Sequence, residues 1–328
     1  MKKPTLLHYY VTDICNAKCE FCDIWENKNP NFATVEDVKK NLQDAKELGA
    51  KFVDFTGGEP LLNKNTPIFL EEAKKLGFIT SITTNTTLFP KMVKSLVDKV
   101  DLLHFSLDSD DPKMHNKIRG FESYDQTLKS IDIALENGMS PDLLFTFTNE
   151  NIDNFNGVWE LARSKKLVVI LDPLFSLDKN QLLDKETLEK ALEYGKLPGV
   201  YLNHAHFTHR KSGGNNLSNP RCKAVESTIV ILPQNKLALP CYHHAVDKLD
   251  IDGDLKNLVR SEKYLYHKEN QGKLSFCDGC HINCYFDPSY AYKFDKLMVQ
   301  SSRDKFKYGF YKYGVYGQKM NYSLLDLL

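Results

Sequence analysis

Between residues 6 and 194, short runs of β-branched and aromatic residues alternate with longer segments of helical period. LLHYYVT (6–12), KFVDFTG (51–57), ITSITTN (79–85), DLLHFSLD (101–108), DLLFTFT (142–148) and VVILDPLF (168–175) read as strands. Val35 to Leu48, Thr66 to Leu76, Lys91 to Val97, Tyr124 to Asn137, Asn154 to Lys165 and Lys185 to Tyr194 read as helices. Thr34 precedes an acidic first turn, and Gly49, Gly77 and Gly138 follow the last periodic residue of their helices, as caps do. Such an alternation with right-handed crossovers requires a parallel sheet. Six units are fewer than the eight of a closed barrel, so an α/β fold is expected, a partial (β/α)6 TIM-like barrel. In that fold chemistry collects at the carboxyl ends of the strands.

After about residue 196 the alternation stops. A loop-like stretch HAHFTHRKSGGNNLSNP, a hairpin TIVILPQNKLALPC and a cysteine-rich segment follow. Two domains are therefore expected, 1–200 for the barrel and 201–328 for a small cysteine-rich α+β unit with an aromatic, basic tail. Lys+Arg and Asp+Glu balance at 43 each, so bulk charge gives no reason to expect a nucleic-acid partner. The start, MKKPTLLHYYVTDIC, breaks its apolar run at Thr12 and Asp13, too early for a signal peptide, and no stretch has the length of a membrane span. A cytoplasmic protein is expected. In that compartment clustered cysteines hold metal or do chemistry more often than they form disulfides.

The eight cysteines fall in two groups, Cys15, Cys19 and Cys22 in front and Cys222, Cys241, Cys277, Cys280 and Cys284 behind. The front group, C-x3-C-x2-C, is too tight for a local four-ligand zinc site and has no fourth cysteine or histidine nearby. Thiolates suit iron-sulfur clusters. Three on a cubane cluster leave one iron open, as a catalytic site requires. The motif stands just after the first strand. "GGEP" (57–60), "TTN" (83–85) and "SLD" (106–108) stand at the ends of the next three.

With Phe21 before its last cysteine, GGEP, TTN and the segment SLDSDDPKMHNKIRG (106–120), the chain resembles the radical S-adenosylmethionine (SAM) superfamily over residues 6 to about 176. The resemblance implies a [4Fe-4S] cluster on Cys15, Cys19 and Cys22 whose open iron is chelated by SAM. It implies reductive cleavage of SAM to a 5′-deoxyadenosyl radical that abstracts a substrate hydrogen, with a flavodoxin- or ferredoxin-like reductant. Carried over by position, Gly57 and Gly58 would bring backbone to the methionine moiety and Glu59 would accept from its ammonium group. Ser106 and Asp108 would contact ribose or carboxylate, Asn85 would lie near methionine or substrate, and Arg119 would pair with the SAM carboxylate. Phe21 belongs to the same cofactor-binding set.

Cys222 and Cys241 bracket the hairpin, and Cys277 with Cys280 forms a C-x2-C pair. Those four are a full set for one auxiliary [4Fe-4S] cluster, and the arrangement resembles the twitch domain, a shortened relative of SPASM. Cys284 either replaces one of the four or is a free thiol, and a structural four-cysteine zinc site is the alternative. Asn235 stands where related hairpins carry a turn glycine and can adopt the same left-handed conformation. His204, His206 and His209, with His243 and His244, are read as loop histidines that are solvated or line a polar pocket, with a metal or substrate role as the alternative.

The tail from Lys293 to Lys319 carries six Lys and one Arg against two Asp. It either packs its aromatics on the barrel or meets a membrane surface peripherally. The expected reaction is an oxidation or a C–C or C–S coupling on a small metabolite or lipid. A ribosomally made peptide is the alternative substrate, disfavoured because no recognition domain precedes the barrel in this sequence. A non-catalytic iron-sulfur electron carrier or zinc scaffold is the alternative of another kind.

Overall fold

The computed structural model describes residues 3–175, 183–320 and 322. Six parallel strands follow the expected alternation: β1 (Leu6–Thr12), β2 (Phe52–Gly57), β3 (Ile79–Thr84), β4 (Leu102–Ser106), β5 (Asp142–Phe147) and β6 (Val169–Pro173). A two-residue strand, β7 (Val200–Tyr201), extends that edge; its brevity left no pattern to read in the sequence. On the other edge β8 (Thr228–Leu232) pairs parallel with β1, and the antiparallel strands β9 (Lys236–Leu239) and β10 (Asp247–Asp250) follow. The order is β10-β9-β8-β1-β2-β3-β4-β5-β6-β7 in one sheet. Backbone pairing thus runs from the barrel into the hairpin of the second unit, across the boundary expected at residue 200.

Period-two alternation gives the barrel strands two unlike faces. Leu7, Tyr9, Val53, Phe55, Ile82, Leu103 and Phe105 are buried in the main apolar core, with partners from the surrounding helices such as Val38, Leu42, Phe69 and Leu70. The opposite face carries His8, Asp54, Ser81, Thr83 and His104, which line one cavity with Ile170 of β6 and Tyr201 of β7. A flat sheet cannot bring β1 and β7 to the same cavity, so the sheet is curled. The expected helices form, with Thr34 capping Val35–Leu48 by accepting from the Asp37 N–H and Gly49 ending it at φ 115°. In the hairpin turn Asn235 adopts φ 56°, the left-handed conformation expected of it.

One segment differs from its sequence reading, and the tail, for which the sequence predicted no element, forms one. HAHFTHRK, taken as loop, is a helix over His204–Lys211, capped by the Asn203 side chain accepting from the Ala205 N–H. Its buried face is Ala205, His206, Phe207 and His209, so histidines supply half of a core-facing stripe that apolar counting does not register. The aromatic tail is a helix over Lys296–Gly309 that continues as a π-helical turn over Phe310–Val315. Tyr308 Oη donates to Asp142 Oδ2 at 2.7 Å, and Lys312 Nζ donates to both Asp142 oxygens at 2.7 Å. Asp142 begins β5, so the tail closes the barrel at the amino ends of its strands. Residues after Tyr322, and Asn321 within the tail, lie outside the described residues.

Candidate active site

The front cysteine loop leaves the carboxyl end of β1 and is held from two sides by backbone. On one side the Gly58 N–H donates to the Thr12 carbonyl at 3.0 Å and the Glu59 N–H to the Ile14 carbonyl at 2.9 Å. A Cβ on Gly57 would lie 2.0 Å from the Thr12 carbonyl oxygen, and one on Gly58 would lie 1.9 Å from that of Ile14. The two glycines are therefore required by the loop itself, whatever else approaches them. On the other side the Lys18 N–H donates to the Arg119 carbonyl at 3.1 Å and the Glu20 N–H to that of Ile118 at 3.0 Å. Here Gly120 is the close neighbour, since its Cβ would meet the Lys18 oxygen at 2.3 Å. GGE and IRG thus act as two jaws that fix Cys15, Cys19 and Cys22.

Glu59 is buried and its carboxylate is already engaged. Oε1 accepts from the Leu61 N–H at 3.1 Å and the Thr84 hydroxyl at 2.8 Å, and Oε2 accepts from the Asn85 N–H at 2.8 Å. It ties the GGEP turn to the end of β3, and burial pushes its carboxyl up to about 7. Asn85 Nδ2 donates to Asn16 Oδ1 at 2.8 Å and lies 4.0 Å from Cys15 Sγ. Ser106 ends β4 and is buried. Two residues on, Asp108 accepts from the Thr146 N–H at 2.9 Å and pairs through Oδ2 with Arg119 Nε at 2.5 Å. Its carboxylate is thus committed to positioning Arg119 more than to a ligand. Arg119 Nη1 lies 3.8 Å from Cys19 Sγ, and its guanidinium sits 5.5 Å from the centre of the Phe21 ring.

Arg119 Nη2 is buried and has no hydrogen-bond partner among the described residues. A buried guanidinium nitrogen left open beside the Cys19 thiol is what an anionic cofactor group would satisfy. Burial pushes the Cys15 thiol up to about 11, so a thiolate there needs a metal beside it. The donor set and the orphaned nitrogen fit an iron-sulfur cluster with SAM.

In the second unit, Cys222, Cys241, Cys277 and Cys280 line a small cavity of about 20 Å³ with Pro240, Tyr285 and Phe286. Burial pushes Cys241 up to about 12 and Cys280 up to about 11. Asn215, not singled out from the sequence, binds these segments together. Its Nδ2 donates to the Gly272 and Cys277 carbonyls at 2.7 and 3.1 Å, and its Oδ1 accepts from the Arg221 and Cys222 N–H groups at 3.1 and 3.3 Å. The GGNN run was its only signal: a Cβ on Gly214 would meet the Gly279 oxygen at 2.3 Å. Cys284 is absent from that lining and lines the barrel cavity instead.

The barrel cavity, about 490 Å³, lies between the polar strand face and the second unit, which adds Cys284, Asp287, Lys305 and Tyr308. His8 Nδ1 is 3.2 Å from Asp54 Oδ2, and His8 Nε2 is buried without a hydrogen-bond partner among the described residues. The helix Asn283–Ser289 stands between the two cavities, with Tyr285 and Phe286 toward the cysteines and Cys284 and Asp287 toward the barrel. His206 and His209 do not line the barrel cavity. His206 Nδ1 bonds Tyr290 Oη at 3.0 Å, and His209 Nε2 is 3.2 Å from the Cys280 carbonyl. His204 Nδ1 pairs with Asp304 at 3.0 Å. His243 packs edge-on to Phe175, while His244 stacks on Phe276 and touches the cysteine cavity.

Residues 9–162 match the family model of the radical SAM superfamily. Over 230 residues the chain is 30% identical to a probable GTP 3′,8-cyclase of Methanosarcina mazei, covering 64% of this chain and 66% of that relative's length. Among solved structures it is similar to Streptococcus suis SuiB bound to precursor peptide SuiA, with TM-score 0.69, 18% identity, and 90% and 76% of the two chains covered. It is also similar to anSMEcpe with bound AdoMet, with TM-score 0.64, 16% identity, and 99% and 98% covered. At those identities the likeness is one of fold.

Proposed function

We propose that the chain, whose residues 9–162 match the family model of the radical SAM superfamily, is a radical SAM enzyme acting on a small polar metabolite held in the barrel cavity. Cys15, Cys19 and Cys22 hold the cluster that binds SAM, and Cys222, Cys241, Cys277 and Cys280 hold an auxiliary [4Fe-4S] cluster in a twitch-like unit. When bound, these groups supply a 5′-deoxyadenosyl radical that removes a substrate hydrogen atom, and a one-electron acceptor. Arg119 Nη2 would receive the SAM carboxylate, Glu59 would offer its one unused lone pair to the ammonium group, and the backbone of 57–59 would carry the methionine edge.

The observation that carries the reading is the 490 Å³ cavity with its polar strand face. An electron carrier or zinc scaffold has no use for a chamber of substrate size. The lining balances Lys51 and Lys305 against Asp54 and Asp287, and Lys305 already pairs with Asp287 at 3.0 Å. That balance suits a weakly charged metabolite better than the triphosphate implied by the name of the Methanosarcina relative.

The net change proposed is an oxidation or a C–C or C–S coupling. His8 is the proton acceptor: Asp54 holds its Nδ1–H, which leaves Nε2 as a buried acceptor in the cavity wall. Anaerobic reconstitution followed by dithionite and SAM is expected to yield 5′-deoxyadenosine, and more of it when the fraction of cell extract containing the substrate is added. Absence of 5′-deoxyadenosine from a fully reconstituted protein contradicts the proposal.

A further inference from the structure

The helix Lys296–Gly309 buries the wrong side of itself for an ordinary surface helix. Ser301, Asp304, Tyr308 and Gly309 face inward, with Lys312 just beyond. Outward stand Val299, Phe306 and Phe310, exposed by 56%, 63% and 55%. Lys296, Val299, Arg303, Phe306 and Phe310 recur at intervals of three and four, so they share one face. Phe294 before the helix is 85% exposed, and Val315 and Met320 after it are exposed too. Six of the eleven exposed large hydrophobic residues among the described residues thus fall within 294–320. Water does not favour that arrangement, and a contiguous apolar stripe of this kind marks a contact surface.

The charge around the stripe selects what covers it. Lys293, Lys296, Arg303 and Lys319 are exposed around it. The only acids between 293 and 320 are themselves paired, Asp295 with Arg221 at 3.1 Å and Asp304 with His204 at 3.0 Å and Arg303 at 3.2 Å. Lys319 pairs with Asp98 at 3.4 Å, so Lys293 and Lys296 carry the excess positive charge of this face. Two copies of the chain meeting on this face would set cations against cations. An anionic surface that also accepts aromatic rings satisfies both halves of the pattern.

We propose that the outer face of residues 294–315 docks on the surface of an anionic lipid bilayer, with Phe294, Val299, Phe306 and Phe310 entering the headgroup boundary and the cations meeting lipid phosphates. The same helix lends Lys305 and Tyr308 to the barrel cavity, so docking sets one wall of that cavity close to the lipid. The surface does not depend on the enzymatic reading.

The test is co-sedimentation of the reconstituted full chain with vesicles, either pure phosphatidylcholine or an equal mixture with phosphatidylglycerol. Expected is partition at least roughly tenfold stronger to the anionic vesicles, weakened roughly tenfold in Val299→Ser/Phe306→Ser/Phe310→Ser and reduced by high salt. Because those side chains are exposed, the variant should keep its iron content and SAM cleavage, which separates loss of docking from loss of fold. Equal partition to both vesicles overturns the proposal, as does partition unchanged in the variant. A concentration-dependent dimer in sedimentation velocity that the variant abolishes would assign the face to a second copy and overturn it as well. Retention by an acidic protein without vesicle binding would do the same in favour of a protein partner.

Discussion

Gly58 has no room for a side chain, because the Ile14 carbonyl oxygen occupies the place of its Cβ. Gly58→Ala must push the base of the cysteine loop away from β2. The expected result is a protein that folds and keeps its rear cluster, while front-cluster iron and 5′-deoxyadenosine production are lost; the iron-to-protein ratio checks it. His115 shows a second residue-scale constraint. Its Nδ1 accepts from the Asp108 N–H at 3.2 Å, which leaves Nε2–H to donate to Ser123 Oγ at 3.0 Å, so only the neutral ring fits. Burial pulls both His115 and His206 down to about 3. With folded-state values below the ordinary 6.5, the unfolded chain binds more protons as pH falls. Their contribution is therefore whole above about pH 6.5 and is lost toward pH 3, at about 1.4 kcal/mol per pH unit for each ring. Urea unfolding of the apoprotein at pH 7 and pH 5 should show the lower stability at pH 5, and His206→Phe should flatten the dependence.

At the level of elements, the helix Asn283–Ser289 brings Cys284 into the lining of the barrel cavity, although Cys284 packs in the same apolar cluster as Cys222, Cys241 and Cys280. Cys284→Ser is expected to keep both clusters, whereas Cys222→Ser should lose the rear one alone; absorbance near 400 nm and iron content distinguish them. From the sequence Cys284 stayed ambiguous, since spacing along a chain does not say which side of a helix faces which cavity. The strands were legible because their outer face is continuously apolar, and so were most barrel helices. The helix His204–Lys211 was not, because histidines and an Asn cap form its buried side. The cysteines, GGE and IRG were visible as letters, but their mechanical role was not: the close approaches of Gly57, Gly58 and Gly120 join segments as many as a hundred residues apart.

For the whole molecule, the barrel is closed at one end by the cysteine loop and at the other by the tail. The second closure is a buried ion pair, Lys312 on Asp142, with Tyr308 donating to the same carboxylate. Lys312→Met leaves that carboxylate without its counter-charge and should cost about 3–5 kcal/mol, with Asp142→Asn/Lys312→Met recovering most of it; denaturant midpoints read both. Composition displayed the basic aromatic tail but not that Lys312, among its lysines, turns inward. The lumen residues His8, Asp54 and His104 were equally hidden, since alternation assigns them to the face opposite the core without saying that this face encloses a chamber.

The central claim is that the chain carries two independent thiolate sites, Cys15, Cys19 and Cys22 at the carboxyl end of β1 and Cys222, Cys241, Cys277 and Cys280 in the second unit. The most direct measurement is the iron content and low-temperature EPR of Cys15→Ala/Cys19→Ala/Cys22→Ala after anaerobic reconstitution. Retention of half the wild-type iron as a single [4Fe-4S] cluster, with no 5′-deoxyadenosine formed from SAM, is the predicted result. Loss of all iron, or continued SAM cleavage, would contradict it.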